Sequence, residues 1–343
     1  MILLLVFNVL LAIVIGTVFY LYSKEIVWWE LCLAPLVSLL ISWLSYSIFS
    51  LIACGDTQTL SGTVISATYQ PYWVDEHTDI KDGKKVIDHD THYPKWTMSC
   101  YTGKHTEEVE ITSDEYNDLY KKFGKKNQVS GYRPNFDYGD RHDYVLENVN
   151  HYSQPCVLPK KYINRLKNSN SIFTYSKSKN EIFPYPYPTD KFISNRLVGA
   201  AKFQFNQLDF DRMNSRLGPF KKVNVIIVGA ASNIGQQLET QWQGGKKNDL
   251  VICYGNGWSY CFGWTDCDLV KRNLETLFLS TVNNTLLPKI EDEIRKNYVL
   301  KNWKDFDYVS INFPLWMYFV LFIIIMVSQV IYFMVVSTNK SLK

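Results

Sequence analysis

The sequence has few charged residues for its length, because three long stretches contain none. Only 20% of the 343 residues are Asp, Glu, Lys or Arg. No charged side chain occurs in residues 1–22, 31–53 or 313–336. Each stretch exceeds the roughly 20 residues with which a helix crosses a bilayer. The first stretch lacks the basic residues and cleavage site of a signal peptide. We therefore predict an integral membrane protein with three transmembrane helices.

A large excess of either charge sign is also missing. The net charge is +3, and this near-neutral balance argues against nucleic acid as a partner. The few lysines beside the apolar stretches are Lys24, Lys340 and Lys343. Short basic segments stay in the cytoplasm, whereas long domains cross largely regardless of charge. The sequence thus predicts an inner-membrane protein of a host cell, with residues 54–312 extracytoplasmic and the C-terminus cytoplasmic.

Cysteine is too scarce for a disulfide-rich scaffold. Five of the seven cysteines lie in the predicted extracytoplasmic region: Cys100, Cys156, Cys253, Cys261 and Cys267. Five is an odd number, so at least one of these thiols stays unpaired unless Cys54 joins them. An oxidising compartment permits a disulfide, but the spacing does not give the pairing.

The predicted fold class is an α+β membrane protein. Two transmembrane helices (1–53) precede a β-rich subdomain (54–165) and an α/β sandwich subdomain (166–310), and a C-terminal transmembrane helix (313–336) follows. In the β-rich part, β-branched and aromatic residues alternate with polar ones. Thr112 and Glu115 have the spacing of a capping box that begins a helix, and Gly124 ends it. Residues 125–160 are expected to be loop-heavy, and the proline-rich residues 183–188 are expected to form a stiff linker.

The second subdomain has a clear order of elements. A helix over residues 206–218 is followed by a buried strand at 223–229 and a helix at 233–245. Two strands at 249–255 and 258–264 then lead to helical sequence from Asp266 onward. This order predicts a compact sandwich in which helices cover a small sheet.

The stretch "VIIVGAASNIGQQLE" (225–239) looks like a dinucleotide-binding turn. Such a turn needs glycines for close approach to a pyrophosphate, and Gly229 and Gly235 supply two of them. Asn233 stands where short-chain dehydrogenases carry a further glycine, and no acidic residue ends the next strand. We interpret the turn as structural and expect no nucleotide.

The stretch "QGGKKND" (243–249) also suggests phosphate, but its order is reversed. A phosphate loop runs from strand to helix, whereas here Gly244 and Gly245 follow a helix. Lys246 and Lys247 then complement the negative end of the helix dipole. The predicted role is a helix stop.

Histidine is absent from the second subdomain. The six histidines all lie between residues 77 and 151: His77, His89, His92, His105, His142 and His151. His89 and His92, with Asp88, Asp90 and the nearby Cys100, could hold zinc. The alternative is a set of solvated loop histidines, and both interpretations stay open.

Three aspartates flank the predicted strands of the second subdomain. Asp249 precedes one strand, while Asp266 and Asp268 follow the next. One interpretation is that Asp266 or Thr265 is an ordinary N-cap, where an acidic residue complements the helix dipole. If the strands are neighbours, the three carboxylates could meet and bind a divalent cation such as calcium.

The stretches "LETQWQGGKKNDLVICYG" and "GWTD", which contains Trp264, resemble the TPM domain over roughly residues 200–295. A thylakoid lumen acid phosphatase and bacterial membrane-anchored proteins share this fold. The wider layout resembles uncharacterised membrane proteins of tailed bacteriophages. The resemblance implies a cation site or weak phosphatase chemistry at Asp249 and Asp266, with Asp268 as a neighbour, or a role in binding or assembly.

We therefore expect a phage-type membrane protein whose extracytoplasmic domain is an envelope binding or assembly module. Its expected partners are the lipid bilayer and a protein of the cell envelope. The alternative is a divalent-metal-dependent phosphatase that uses the acidic site.

Overall fold

The computed structural model describes residues 2–23, 27–81, 84–103, 106–123, 126–130, 133, 135–148, 154–169 and 182–341. Several residues used above lie outside this part of the chain: Lys24, Lys343, His105, His151 and Gly124. The side chain of Lys340 also lies outside it.

The described chain contains both α-helices and β-strands. The α-helices are α1 (Ile2–Ser23), α2 (Trp28–Cys54), α3 (Ser113–Phe123), α4 (Ala201–Gln204), α5 (Gln207–Lys221), α6 (Gly235–Gln241), α7 (Asp268–Phe278), α8 (Leu287–Asn297) and α9 (Leu315–Ser341). The strands are β1 (Gly55–Gln70), β2 (Trp73–Lys81), β3 (Lys84–His92), β4 (Lys95–Tyr101), β5 (Thr106–Glu110), β6 (Lys126–Ser130), β7 (Phe136–Gly139), β8 (His142–Glu147), β9 (Pro155–Ile163), β10 (Leu197–Gly199), β11 (Asn224–Gly229), β12 (Asp249–Gly255) and β13 (Trp258–Gly263).

The chain forms two compact units. Met1–Asp56, Lys161–Thr174 and Lys304–Lys343 make up one unit, and Thr57–Lys160 and Tyr175–Trp303 make up the other.

The first unit contains two helices that are long and apolar enough to cross a membrane. They are Cys32–Cys54 within α2 and Leu315–Thr338 within α9. Only 17% and 22% of the residues in their most apolar windows are buried, so most apolar side chains face outward, unlike those of a soluble protein's core helix. In α1 the described apolar stretch is the shorter Asn8–Leu21. The third predicted span therefore stays a prediction.

A polar cluster holds α1, α2 and α9 together. The Asn8 side chain donates to Ser42 Oγ (2.8 Å) and accepts from Ser38 Oγ (2.6 Å) and from Gln329 Nε2 (2.9 Å). These four side chains are almost completely buried. These hydrogen bonds connect a side chain of α1 to side chains of both α2 and α9.

The second unit begins with a β-rich part. One sheet has the order β5-β4-β1-β8-β6, with β9 also paired to β1. Its core includes Val64, Met98 and Leu146 and is closed by Leu119 of α3. The capping box is confirmed, since the Thr112 N–H donates to Glu115 (2.7 Å) and the Glu115 N–H to Thr112 Oγ1 (3.2 Å). The expectation of a loop-heavy region at 125–160 is wrong, because β6 to β9 lie there.

A disulfide joins Cys100 of β4 to Cys156 of β9, and both residues are fully buried in this core. Cys253, Cys261 and Cys267 are free, and so is Cys54, which confirms that at least one of the five thiols stays unpaired. Burial raises the pKa of the Cys253 thiol to about 12. This thiol is therefore unreactive at neutral pH.

Strands β3, β2 and β7 form a separate antiparallel sheet. The pairing of β2 with β3 runs from Trp73 opposite His92 to Lys81 opposite Lys84. Most side chains of β3 are exposed to solvent. We call these two strands the β2–β3 hairpin.

The α/β part has a sheet of order β10-β11-β12-β13, with β10 to β12 parallel and β13 antiparallel. Helices α5, α7 and α8 pack against one face, and α6 packs against the other. Strand β11 sends Val225 and Ile227 to the first face and Ile226 and Val228 to the second. This alternation explains why the strand is apolar throughout.

The predicted order of helix, strand, helix, strand, strand and helix is confirmed here, with three corrections. The helix expected from Asp266 onward is broken between α7 and α8. Gly218 does not end α5, which continues to Lys221. The proline-rich segment does not act as a spacer, because the carbonyl oxygen of Phe183 accepts hydrogen bonds from Gln241 (3.2 Å) and Trp242 (3.1 Å).

An ion-pair clamp joins α5 to α8. Glu291 accepts hydrogen bonds from Nε and Nη2 of Arg216 (3.0 and 2.6 Å) and from Nε and Nη2 of Arg295 (3.0 and 2.8 Å). Burial alone would raise the pKa of Glu291, but the two arginines outweigh burial and hold this pKa below its ordinary value. The clamp is therefore strongest when Glu291 is charged.

We expect Glu291→Gln to lower the free energy of unfolding at pH 7 by about 1.5–3 kcal/mol. Because folding depresses this pKa, the wild-type stabilisation is complete above the ordinary glutamate pKa of about 4.3 and is lost as the pH falls below it. Urea unfolding across this range should show the difference shrinking with acid. Asp292→Asn, an exposed change on the same helix, is the control. A difference that is independent of pH would contradict the clamp.

Candidate functional site

The three aspartates of the predicted cation site lie in different environments. Asp249 is the first residue of β12 and is fully buried. Asp266 and Asp268 are exposed and pair with Lys301 and Lys271, each at 3.0 Å. Within the described residues, no set of closely spaced metal-ligand atoms includes any of the three. A cation site at these aspartates has no geometric support and stays a prediction.

The Asp249 carboxylate accepts hydrogen bonds from three residues. The Tyr185 hydroxyl donates to Oδ2 at 2.5 Å, and the Lys246 backbone N–H donates to the same oxygen at 2.7 Å. The Asn224 amide donates to Oδ1 at 2.9 Å. Each oxygen of this buried carboxylate therefore has at least one hydrogen-bond partner. We call these four residues, together with Arg196, the Asp249 network.

Arg196 is the positive counterpart of Asp249. This arginine is fully buried and donates to the Tyr185 hydroxyl at 3.0 Å and to Thr59 Oγ1. Burial raises the pKa of Tyr185 well above its ordinary value; Arg196 lowers this pKa and Asp249 raises it. Tyr185 is therefore neutral at physiological pH and links the two opposite charges, accepting from one and donating to the other.

The "GGKK" turn brings Lys246 to this network. Gln243, Gly244 and Gly245 have φ angles of 52°, 76° and 86°, a run of left-handed residues that ends a helix. The Gly244 N–H donates to the Glu239 carbonyl at 2.8 Å, and the Trp264 indole donates to the Gly245 carbonyl at 3.3 Å. The predicted helix stop is confirmed.

The two lysines of the turn face aromatic and buried surroundings. The Lys246 ammonium lies 5.1 Å from the ring centre of Tyr185 and 5.6 Å from that of Tyr187, within the range of cation–π attraction. Burial, and then the nearby Lys222, lower the pKa of Lys247. These contacts are those of a folded, aromatic-lined turn.

The glycines of the "VIIVGAASNIG" turn are explained by packing. A Cβ on Gly235 would lie 2.5 Å from the Tyr260 side chain, and a Cβ on Gly229 would lie 2.7 Å from the Ala201 nitrogen. A cavity of about 430 Å³ lies beside this turn, and Ala230, Tyr254 and Asn256 line it together with other uncharged residues. These contacts support the interpretation of a structural turn.

The histidines of the β-rich part separate by strand face. His77 and His92 lie with Asp75 and Asp90 on one face of the β2–β3 hairpin, because paired residues share a face and side chains alternate. His89 lies on the other face, 3.5 Å from Asp137. Cys100 is bonded to Cys156 and cannot be a ligand. The zinc set suggested around His89 and His92 is therefore wrong.

The structure instead brings together Asp75, His77 and Asp90. One potential ligand atom from each lies within 4.8 Å of the others, which makes these three side chains a candidate metal site in the described part of the chain. The sequence signal for it was the period of two in "WVDEH" and "DHDTH", which groups every second residue on one face. We call these three residues with His92 the Asp75 cluster.

Comparisons with protein-family models, with curated proteins and with solved structures give no match to this chain. The TPM-like and phage-type assignments therefore stay predictions.

Proposed function

We propose that this chain is an integral membrane protein whose extracytoplasmic region, residues 54–312, is a binding or assembly module for a protein of the cell envelope. Three features support the proposal: the packing of the apolar helices, the disulfide and the exposed β2–β3 hairpin. The hairpin is the observation that carries it.

The membrane anchor is proposed to include α1 as a third span. Asn8 of α1 exchanges hydrogen bonds with Ser38 and Ser42 of α2 and accepts one from Gln329 of α9. In hydrocarbon, unpaired polar groups are costly, so such side chains meet their partners on neighbouring helices. With three spans, Lys24 between the first two spans and the lysines of the C-terminal tail lie on the same side of the membrane. Basic residues in short segments favour the cytoplasmic side.

The disulfide supports an extracytoplasmic location for the central region. Cys100 and Cys156 lie in a core whose other members are apolar. Structural disulfides persist in oxidising compartments and are rare in the cytosol. A bridge between β4 and β9 is therefore expected of a domain that folds outside the cytoplasm.

The β2–β3 hairpin is the proposed contact element. Ile80 and Ile87 are 76% and 58% exposed, and they lie diagonally on one face because Thr78 is opposite Ile87 and Ile80 is opposite Lys85. The exposed Tyr72 and Tyr138 lie with touching hydroxyls (3.4 Å) near the hairpin's base. The exposed isoleucines lie toward the tip of the hairpin and the exposed tyrosines at its base, and we propose that this apolar surface contacts the partner.

The alternative, a metal-dependent phosphatase at Asp249, has weaker support. A metal-bound water or a phosphate needs an open position beside its ligands. Both oxygens of Asp249 already accept hydrogen bonds from Tyr185, Lys246 and Asn224.

The experiment is photo-crosslinking in the native host membrane. A photoreactive residue at Ile87 should give one discrete adduct with an envelope protein, and the additional change Ile80→Ser should abolish it. The same residue at Ile193, which is 43% exposed in the α/β part, is the control. An adduct equally strong at position 193, an adduct only with a second copy of this chain, or no adduct would contradict the proposal.

A further inference from the structure

The Asp75 cluster is an isolated set of metal-ligating side chains that the proposed binding role does not use. Asp75 is opposite Asp90, and Trp73 is opposite His92. His77 is two residues beyond Asp75 and so projects from the same face. With Asp88, which is opposite His77, three carboxylates and two imidazoles therefore lie on one face of the β2–β3 hairpin.

The spacing of the ligand atoms fits a tetrahedral ion. His77 Nε2 lies 3.1 Å from Asp75 Oδ2 and 3.2 Å from Asp90 Oδ2. Zinc bonds to imidazole nitrogen and carboxylate oxygen at about 2.0–2.2 Å, so two ligand atoms at tetrahedral corners lie about 3.3 Å apart. The two distances from His77 Nε2 to the carboxylate oxygens are therefore close to those of a tetrahedral zinc site.

The cluster is electrostatically incomplete. Nε2 of a neutral imidazole carries at most one proton, whereas two carboxylate oxygens lie within 3.2 Å of it. The cross-strand pair of Asp75 and Asp90 also places two negative groups opposite each other, which destabilises a sheet. A divalent cation at the common centre would satisfy the nitrogen and both carboxylates together.

Neighbouring residues hold the ligands in place. The Asn135 amide lies 3.2 Å from His77 Nδ1. When Nε2 binds a metal, the imidazole proton is on Nδ1. With its amide group flipped by 180°, Asn135 accepts a hydrogen bond from this N–H through its side-chain oxygen, as the outer partners of metal-bound histidines do. His92 Nε2 lies 3.2 Å from Asp75 Oδ1, and its ring stacks on Trp73 with centres 3.9 Å apart.

We propose that Asp75, His77 and Asp90 bind a divalent transition-metal ion of the zinc type. The fourth position is open to water, and His92 is a positioning residue that orients Asp75. Imidazole with carboxylate selects such ions over magnesium, which prefers oxygen ligands alone. The site lies on the hairpin itself and is independent of Asp249, Asp266 and Asp268.

The test is calorimetric titration of zinc chloride into the purified full-length chain in detergent. The protein carries no affinity tag, is freed of metal with a chelator and has its accessible thiols blocked with N-ethylmaleimide. We expect one equivalent to bind. His77→Gln and Asp90→Asn should weaken binding on the order of 100-fold or more, and His92→Phe about 10-fold.

Two controls make the result specific. His89→Gln changes the neighbouring residue of the same strand on the opposite face, and Asp268→Ala removes an aspartate of the other predicted cation site. Both should bind zinc as the wild type does. Far-ultraviolet circular dichroism of each variant verifies that the fold is retained. No binding, binding unchanged in His77→Gln, or an equal loss in His89→Gln or Asp268→Ala would overturn the proposal.

Discussion

Replacing Asp249 by alanine is expected to lower the free energy of unfolding of the central region by about 3–5 kcal/mol, the loss typical of breaking a buried charge pair. The change leaves Arg196 buried without its linked anion and removes the acceptor of Tyr185, Lys246 and Asn224. Thermal or urea unfolding in detergent measures the loss. Tyr185→Phe, which removes only the linking hydroxyl, should cost about 1.5–3 kcal/mol.

Asp268→Ala is the matched control for Asp249. Its side chain is 77% exposed and pairs with Lys271 one helical turn away, so the change should alter stability by less than about 0.5 kcal/mol. Equal effects at the two positions would contradict the structural role of Asp249. If the phosphatase alternative were correct, Asp266→Ala and Asp268→Ala would instead abolish metal-dependent phosphate release while leaving the fold intact.

Removing the disulfide should have an effect of similar size. The Cys100–Cys156 bridge closes a loop with a sequence separation of 56 residues, for which the chain-entropy model gives about 4 kcal/mol. We expect the double variant Cys100→Ala, Cys156→Ala to lose this much in urea unfolding under oxidising conditions, while Cys267→Ala stays near the wild type.

The oxidation state of the same two cysteines shows on which side of the membrane the central region lies. With thiols trapped by an alkylating reagent at lysis, unreduced wild-type protein should carry five adducts for its seven cysteines, because two are bonded. Seven adducts would show that the central region had stayed in a reducing compartment, and this would contradict the proposed orientation.

Local patterns predicted the α/β part well because its elements are regular and strongly apolar. Strand β11 is buried on both faces and shows as an unbroken apolar run, and the turn after α6 is marked by Gly244 and Gly245. The region at 125–160 was different. Its tyrosines, asparagines and aspartates are typical of loops, yet β8 forms by pairing with β1, which is distant in sequence, and β6 then pairs with β8. Such pairing overrides local propensity.

The candidate sites depended even more on distant contacts. The sequence gives no sign that Arg196 is buried, since its neighbours in "SNRLVG" are those of an ordinary loop entering a strand. Its partner Tyr185 lies in a proline-rich segment that resembled a linker. The zinc set around His89 and His92 failed because residues three apart in a strand face opposite ways. Only the register of β2 with β3 places Asp90 beside His77.

The contacts of β1 with the α/β part set an order of events during synthesis. Thr59 accepts a hydrogen bond from Asn248, 189 residues later in the chain, and Gly218 lies so close to Ser61 that a Cβ would fall 2.0 Å from its carbonyl oxygen. At about 5–20 residues per second, a ribosome needs on the order of 10 to 40 s to make that intervening length. Strand β1 therefore stays incompletely packed until the last of these neighbours has been synthesised.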